Sequence, residues 1–394
     1  MTNPLNIIFL CGSLEPGKDG VGDYTRRLAA ALIRKGGRAF IIAINDGHVI
    51  SSKAQQFPTQ SEVQDCDGLK VPVLRIGGLI PWKRRVGLIQ SVIDEQRPQW
   101  ISLQYVPHAY SPKGLPFRLP DHLRQLKCNS RWHVMFHELW GAKVTQRLVV
   151  RMAITRIQRQ IVATLNRRLP ISVAHTSNNQ WRNLLESEDV RCRILPLISN
   201  IPVAIKDHSA RNTLLARLEI YEPNAKAVIL TFFGSIRFDW ASMGLVDRVQ
   251  EVLKRSSWNH AVFVSVGRAG DVGEIIWHGM EARASNHCHF LKLGLLPPEQ
   301  ISQILQLSDF GVAMNYLEHV GKSGCVAAMA DHGLPVILPM GDSGIPDSGI
   351  CTSHIRLIPF DRNFETTLLS STRTEPSDSV HQIAMALARS LCSY

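Results

Sequence analysis

Short apolar runs alternate with longer stretches whose apolar positions recur at helical spacing. The run "NIIFLCG" (6–12) has strand length, and "GDYTRRLAAALIRKG" after it puts Tyr24, Leu28, Ala31 and Leu32 on one helical face. The apolar run "RAFIIAIN" follows. Later come "WISLQYV", "WHVMFHE" and a helical pattern from about 143 to 168. Strands separated by helices imply βαβ units and a parallel sheet.

A second series of the same kind starts after the proline-containing segment "LPLISNIPVAIKDHSARN". It runs "AVILTFFGS", helix 241–255, "AVFVSVG", helix 271–285, "CHFLKLG", helix 297–307, "DFGVAMNY", helix 322–332 and "LPVILP". A chain of 394 residues exceeds what one core usually organises, so the pattern predicts an α/β protein of two tandem, Rossmann-like, doubly wound domains. Their expected spans are 1–200 and 201–375. In the remaining 376–394, Ser377 or Asp378 caps a stripe of Val380, Ile383, Ala384 and Leu387. This reads as a closing helix packed back on the first domain.

Composition narrows the partners. A net charge of +11 favours an anionic one: a nucleotide, a lipid headgroup surface or nucleic acid. The eight cysteines are far apart with no CxxC pair, which opposes a zinc ribbon or a disulfide framework and suits reduced, mostly buried thiols. The opening "MTNPLNIIFLCGSLEP" lacks a basic stretch and reads as a first strand rather than a secretion signal. No run approaches the ~18 apolar residues of a membrane span. The expected location is cytoplasmic, either free or peripheral on the inner face of a membrane.

The loop between the first strand and helix carries Gly12, Gly17, Gly20 and Gly22. Glycines there let a backbone approach a phosphate, and helix amides attract anions. The order Gly17, Gly20, Gly22 is G-x-x-G-x-G, not the dinucleotide G-x-G-x-x-G, and Asp46 is the one acidic candidate for holding a ribose. This disfavours a nicotinamide enzyme. Downstream, "LEHVGKSGCVAAMADHG" places Gly321, Lys322, Ser323 and Gly324 at the start of a helix, where amides and an ammonium neutralise a diphosphate. A P-loop would need glycine where Tyr316 stands.

These pieces, "PGKDGVGDYTRRLAAALIRKGG", "WISLQYVPHAYSPKG", "VMFHELW", "TFFGSIR", "LKLGLLPPEQISQILQLSDFGVAM" and "EHVGKSGCVAAMADHGLPVILP", resemble in order the retaining group 1, or family 4, glycosyltransferases of the GT-B fold. The resemblance implies a cleft between the two domains, with a nucleoside-diphosphate-sugar donor on the second and a carbohydrate or lipid-linked acceptor on the first. It implies that Gly20 and Gly22 approach the donor diphosphate, and that Glu318, Gly234, Ser323 and Gly324 hold the donor. Arg237 and Lys322 would stabilise the leaving group, and His137 would sit near the transferring sugar. The nucleotide sugar enters as substrate, with no separate cofactor and no metal.

The chain departs from the family pattern at several positions. Val326 stands where a second glutamate is expected, and Ser235 and Met243 where an arginine and a lysine are expected. Arg237 lies two residues late, and Lys322 is the substitute for the missing lysine. A sugar-nucleotide epimerase of the same fold and a non-catalytic nucleotide-sugar-binding protein are therefore the alternatives. In "NHCHFLKL", strand alternation puts His287 and His289 on one face and Cys288 on the other, which disfavours a metal there.

Between Glu138 and Glu186 there is no acidic residue, while Lys143, Arg147, Arg151, Arg156, Arg159, Arg167, Arg168 and Arg182 fall inside. With Leu148, Met152, Ile157 and Ile161 among them, the tract 143–182 reads either as a basic amphipathic surface for an anionic membrane or as a helix with a solvated arginine face. Trp82, Lys83, Arg84 and Arg85 extend the same surface. Residues 141–180 contain no Phe, Tyr or Trp, which opposes nucleic-acid binding.

Overall fold

A computed structural model describes residues 4–49, 59–140, 148–218, 220, 226–341 and 356–394. The chain divides into two compact units, Met1–Asn200 with Val380–Tyr394, and Ile201–Ser379.

The first unit runs β1 (Asn6–Cys11), α1 (Gly20–Arg34), β2 (Arg38–Asp46), β3 (Thr59–Cys66), β4 (Leu69–Gly77), α2 (Trp82–Gln96) and β5 (Trp100–Tyr105). It continues with α3 (Pro107–Tyr110), α4 (Leu119–Leu123), β6 (Arg131–Phe136), α5 (Leu148–Arg168), β7 (Ile171–Thr176), α6 (Asn179–Glu186) and β8 (Arg193–Ile194). The eight strands lie in the order β3-β4-β2-β1-β5-β6-β7-β8, parallel except for β3. Strand order reverses between β1 and β5, so their carboxyl ends frame the crevice where an open α/β sheet binds ligands.

The second unit holds α7 (Ala210–Arg217), β9 (Ala227–Phe233), α8 (Leu245–Leu253), β10 (His260–Val266), α9 (Gly270–Glu281), β11 (Cys288–Gly294), α10 (Pro298–Leu307) and β12 (Phe310–Val312). A 3₁₀-helix (Leu317–Lys322), α11 (Gly324–Asp331), β13 (Val336–Pro339), β14 (Leu357–Phe360) and α12 (Phe364–Leu369) complete it, and α13 (Val380–Cys392) belongs to the first unit. Its six parallel strands run β11-β10-β9-β12-β13-β14, with the reversal between β9 and β12.

Each sheet is covered on both faces. In the first unit one core layer joins Tyr24, Leu28, Ala31 and Leu32 of α1 to Ile7 and Phe9 of β1 and to Val380, Ile383, Ala384 and Leu387 of α13. The other lies under α2, α4, α5 and α6. The β3–β4 hairpin is absent from the hydrophobic pattern because β3, "TQSEVQDC", is a polar edge strand. Its turn is Asp67-Gly68, with φ of +52° and +74°, the left-handed pair that a two-residue hairpin turn requires.

A buried charge network supports the glycine loop. Asp46 is fully buried and accepts hydrogen bonds from Arg75 Nε (2.8 Å), Ser13 Oγ (3.0 Å), Leu14 N (3.0 Å) and His48 N (2.9 Å). Burial pushes its pKa upward, but Arg75 and the two amides outweigh that and hold it below the ordinary carboxylate value. Asp46 is thus an anchor for the loop after β1, not a ribose ligand. Removing either partner of such a buried pair typically costs about 3–5 kcal/mol, because it strands the other charge. Arg85 is also buried, donating to the carbonyls of Ile80, Ile44 and Gly78 and to Asn45 Oδ1. It pins the turn that leads into α2 and does not extend the basic surface.

Candidate functional site

At the carboxyl end of β1, Gly12 lies against α3: a Cβ there would stand 2.6 Å from Ala109 Cβ. Gly22, in the first turn of α1, has no room either, since a Cβ would stand 2.5 Å from the Ser13 carbonyl oxygen. At Gly20 the nearest atom is 3.8 Å away. Asp19 caps the helix, accepting from Gly22 N at 2.7 Å and also from the Val21 amide. A carboxylate already holds the position that an incoming anion would take. The glycine at 22 is therefore explained by packing of α1 on its own loop.

His137 directly follows β6. It is 8% exposed, its backbone amide donates to the Tyr105 carbonyl, and Tyr24 of α1 meets its ring edge-on at 4.7 Å. Its Nε2 lies 2.9 Å from Gln104 Oε1. Burial pushes its pKa down to about 3, so the imidazole is neutral across the physiological range. Glu138 beside it is exposed.

In the second unit the ends of three strands converge. Gly234 directly follows β9 with φ +96°, and a Cβ there would stand 2.9 Å from Cys325 Sγ in the first turn of α11. Gly267, after β10, has φ +115° and would place a Cβ 3.1 Å from Gly234 Cα. Bare backbone is therefore required where α11 packs on the sheet. Ser323 caps α11 by accepting from Val326 N at 3.3 Å, leaving the Gly324 and Cys325 amides at the helix start. Lys322 closes the preceding 3₁₀-helix.

The loop after β9 carries the exposed Arg237, whose charge opposes the upward shift that burial gives Cys325, to about 11. The neighbouring Phe238 packs edge-on against Tyr316, ring centroids 5.5 Å apart. The segments bearing Arg237 and Lys322 thus meet at the strand-order reversal between β9 and β12. The Glu318 side chain lies outside the described residues. Val326 is 1% exposed in the core beneath β12 and β13, where an ionised carboxylate would be penalised by burial. Ser235 is half-buried and Met243 exposed.

His287 and His289 share a face with His260 of β10, with ring centroids 5.7 and 5.2 Å from it, while Cys288 points into the core. These histidines stand at the amino ends of their strands, away from the converging loops. A groove of about 680 Å³ runs instead along α5, lined by Arg151, Met152, Arg156, Arg159 and Glu188 among others. Lys143 and Arg147 lie outside the described residues. Arg159 pairs with Glu188, Arg168 with Asp121 and Arg182 with Glu186, whereas Arg151 and Arg156 make no ion pair among the described residues.

Hydrophobic patterning did not reveal the polar residues that join His137 in the first unit. Ser102, Gln104, His133 and His175 are each at most 2% exposed and lie inside apolar strands. The available signal was a hydroxyl, an amide and two imidazoles placed at alternate positions in runs otherwise read as core.

No protein-family model matches the chain, and no curated protein matches it significantly in sequence. Solved structures do match over nearly its full length. The catalytic domain of starch synthase IV from Arabidopsis thaliana, bound to ADP and acarbose, aligns over 98% of this chain and 99% of its own with 12% identity and a TM-score of 0.52. A trehalose-6-phosphate protein from E. coli bound with UDP-2-fluoro glucose aligns over 98% and 95% with 11% identity and a TM-score of 0.52. A protein described as a UDP-N-acetylglucosamine 2-epimerase from Listeria monocytogenes aligns over 98% and 95% with 10% identity and a TM-score of 0.54. At such identities the likeness is one of fold, and the fold is the two-domain α/β architecture of the GT-B proteins.

Proposed function

We propose that the protein is a glycosyltransferase that moves a sugar from a nucleoside-diphosphate-sugar donor to a carbohydrate or lipid-linked acceptor, with retention at the anomeric carbon. The observation that supports this reading is the packing of the segment that bears Arg237 against the one that leads through Lys322 into the capped start of α11, at the strand reversal between β9 and β12. Two side-chain cations and two helix amides there suit a diphosphate. Two structures of similar fold hold ADP and UDP-2-fluoro glucose.

As the bond from the anomeric carbon to the diphosphate oxygen breaks, negative charge builds on that oxygen. Fixed cations and amides stabilise it most when it is fully developed, which lowers the barrier rather than merely tightening binding. The departing phosphate oxygen takes the proton of the acceptor hydroxyl, so no separate base is required. His137, neutral and nearly buried, contributes by hydrogen bonding rather than by charge.

Purified protein is expected to show a thermal midpoint several degrees higher with one class of UDP-, GDP-, ADP- or CMP-sugars. A ligand at about 100 times its dissociation constant adds about 2.7 kcal/mol to the folded state. No shift with any class, in a cooperatively melting sample, removes the donor site. A shift without transfer to any acceptor favours a binding protein, a reading to which the apolar Val326 lends weight. Interconversion of the donor's sugar favours an epimerase.

The acceptor side is read as facing an anionic membrane. The first turns of α5 expose Val149 (77%), Val150 and Met152 (65%) beside Arg151 and Arg156, which make no ion pair among the described residues. Exposed apolar side chains next to arginines suit a headgroup boundary. Among the described residues, no helix is long and apolar enough to cross a membrane. Sedimentation with phosphatidylglycerol-containing vesicles is expected to fall about tenfold or more when Arg151 and Arg156 are both changed to Glu, at about 1 kcal/mol per basic side chain. Equal binding by wild type and variant assigns α5 a plain solvated face.

A further inference from the structure

Five hydrogen bonds connect His137 to α13 through the interior of the first unit. His137 Nε2 lies 2.9 Å from Gln104 Oε1, and Gln104 Nε2 lies 2.7 Å from Ser102 Oγ. Ser102 Oγ lies 2.7 Å from His133 Nδ1, the residue directly opposite it in the β5–β6 register. His133 Nε2 lies 2.9 Å from His175 Nδ1, and His175 Nε2 lies 3.1 Å from Ser390 Oγ on α13. Arg193 donates to the same Ser390 oxygen at 3.4 Å.

The donor and acceptor roles along this chain follow from the orientation of the Gln104 amide, with its oxygen toward His137 and its nitrogen toward Ser102. An amide oxygen only accepts, so the hydrogen at the first junction belongs to His137 Nε2. The Gln104 amide nitrogen donates to Ser102, whose hydroxyl hydrogen then goes to His133 Nδ1. That leaves the His133 hydrogen on Nε2, donated to His175 Nδ1, and the His175 hydrogen on Nε2, donated to Ser390. Every junction is satisfied in one direction with each imidazole carrying one proton. Burial agrees, holding His175 at about 4 and His133 well below its ordinary value.

We propose that Gln104, Ser102, His133 and His175 are positioning residues that fix His137 as its Nε2–H tautomer, so that the Nδ1 lone pair is the atom it offers to a ligand hydroxyl. Nδ1 itself makes no hydrogen bond among the described residues, while Tyr24 covers the ring from α1. His137 then selects a ligand that donates at this point, a sugar or polyol hydroxyl, over one that only accepts. The assignment of this ligand rests on the transferase reading; the tautomer does not.

The test is long-range 1H–15N NMR of the full chain labelled at histidine, with His137→Gln used to identify the His137 signals. Transfer kinetics are followed in Gln104→Leu and Ser102→Ala. The wild type is expected to show a protonated Nε2 and an unprotonated Nδ1 at His137. Gln104→Leu should give a mixture of tautomers and about a tenfold loss of kcat with the donor KM unchanged. Ser102→Ala should do the same more weakly, and it serves if the first variant does not fold. A wild-type His137 protonated on Nδ1, or a pattern unmoved in both variants, overturns the proposal. A tautomer that is fixed and depends on Gln104, in a protein that turns over no donor, upholds the positioning role and removes the transferase reading.

Discussion

Lys322→Ala is expected to lower turnover by about 10²–10³-fold, the usual loss when one preorganised group facing developing charge is removed, while the thermal midpoint moves by no more than about two degrees. The asymmetry follows from where Lys322 lies. It closes the 3₁₀-helix Leu317–Lys322 at half burial, whereas the fold around it is held by Val320, Val326, Ala328 and Met329, which are all buried. Its charge precedes the Ser323 cap, and the Gly324 and Cys325 amides follow. Removing the ammonium leaves those amides in place, so donor affinity should fall less than kcat. Lys322→Arg should recover part of the rate, since charge returns with altered geometry. Initial rates at saturating donor, read beside a melting curve, decide the matter; an unchanged rate in Lys322→Ala would take this residue out of the leaving-group site.

His137→Ala should reduce kcat by about 10²-fold and leave the donor dissociation constant within about threefold of wild type, because the groups proposed to hold the donor belong to the second unit. This variant should also lose stability, by about 1–3 kcal/mol, since Gln104 Oε1 is left buried without its donor. His137→Gln separates the two effects. A glutamine amide can still donate to Gln104, so stability should return while activity does not. Donor binding measured by calorimetry, together with transfer rates in both variants, provides the check. Full activity in His137→Gln would show that the ring matters for packing alone.

The fold was legible wherever a strand is continuously apolar and a helix has a clean stripe. "NIIFLCG", "RAFIIAIN", "AVILTFFGS" and "AVFVSVG" all form strands, and the stripe of Tyr24, Leu28, Ala31 and Leu32 is buried as its spacing implies. The β3–β4 hairpin was not, because an edge strand facing water carries no apolar period; only Asp67-Gly68 marked it. Arg85 read as surface charge, yet it is buried, as is Arg75, since local sequence does not say which carbonyls or carboxylates will surround a guanidinium. The same limit hid the chain from Gln104 to His175. Ser102 meets His133 because of the β5–β6 register, a long-range property that no short window contains. Glycines were visible, but what each one serves was not: Gly22 answers to the Ser13 carbonyl, whereas Gly234 answers to Cys325.

The placement of α13 has a consequence for biosynthesis. During translation the whole segment Ile201–Ser379 leaves the ribosome before Val380–Tyr394, although that later segment completes the unit that began to form first. Until it arrives, the apolar stripe of α1 lacks the cover of Ile383, Ala384 and Leu387, and His175 lacks Ser390 as its partner. The nascent first unit therefore waits with a sticky surface while its neighbour is being made. A premature stop just after Ser379 would yield a protein whose second unit is whole and whose first is an open client for chaperones and proteases.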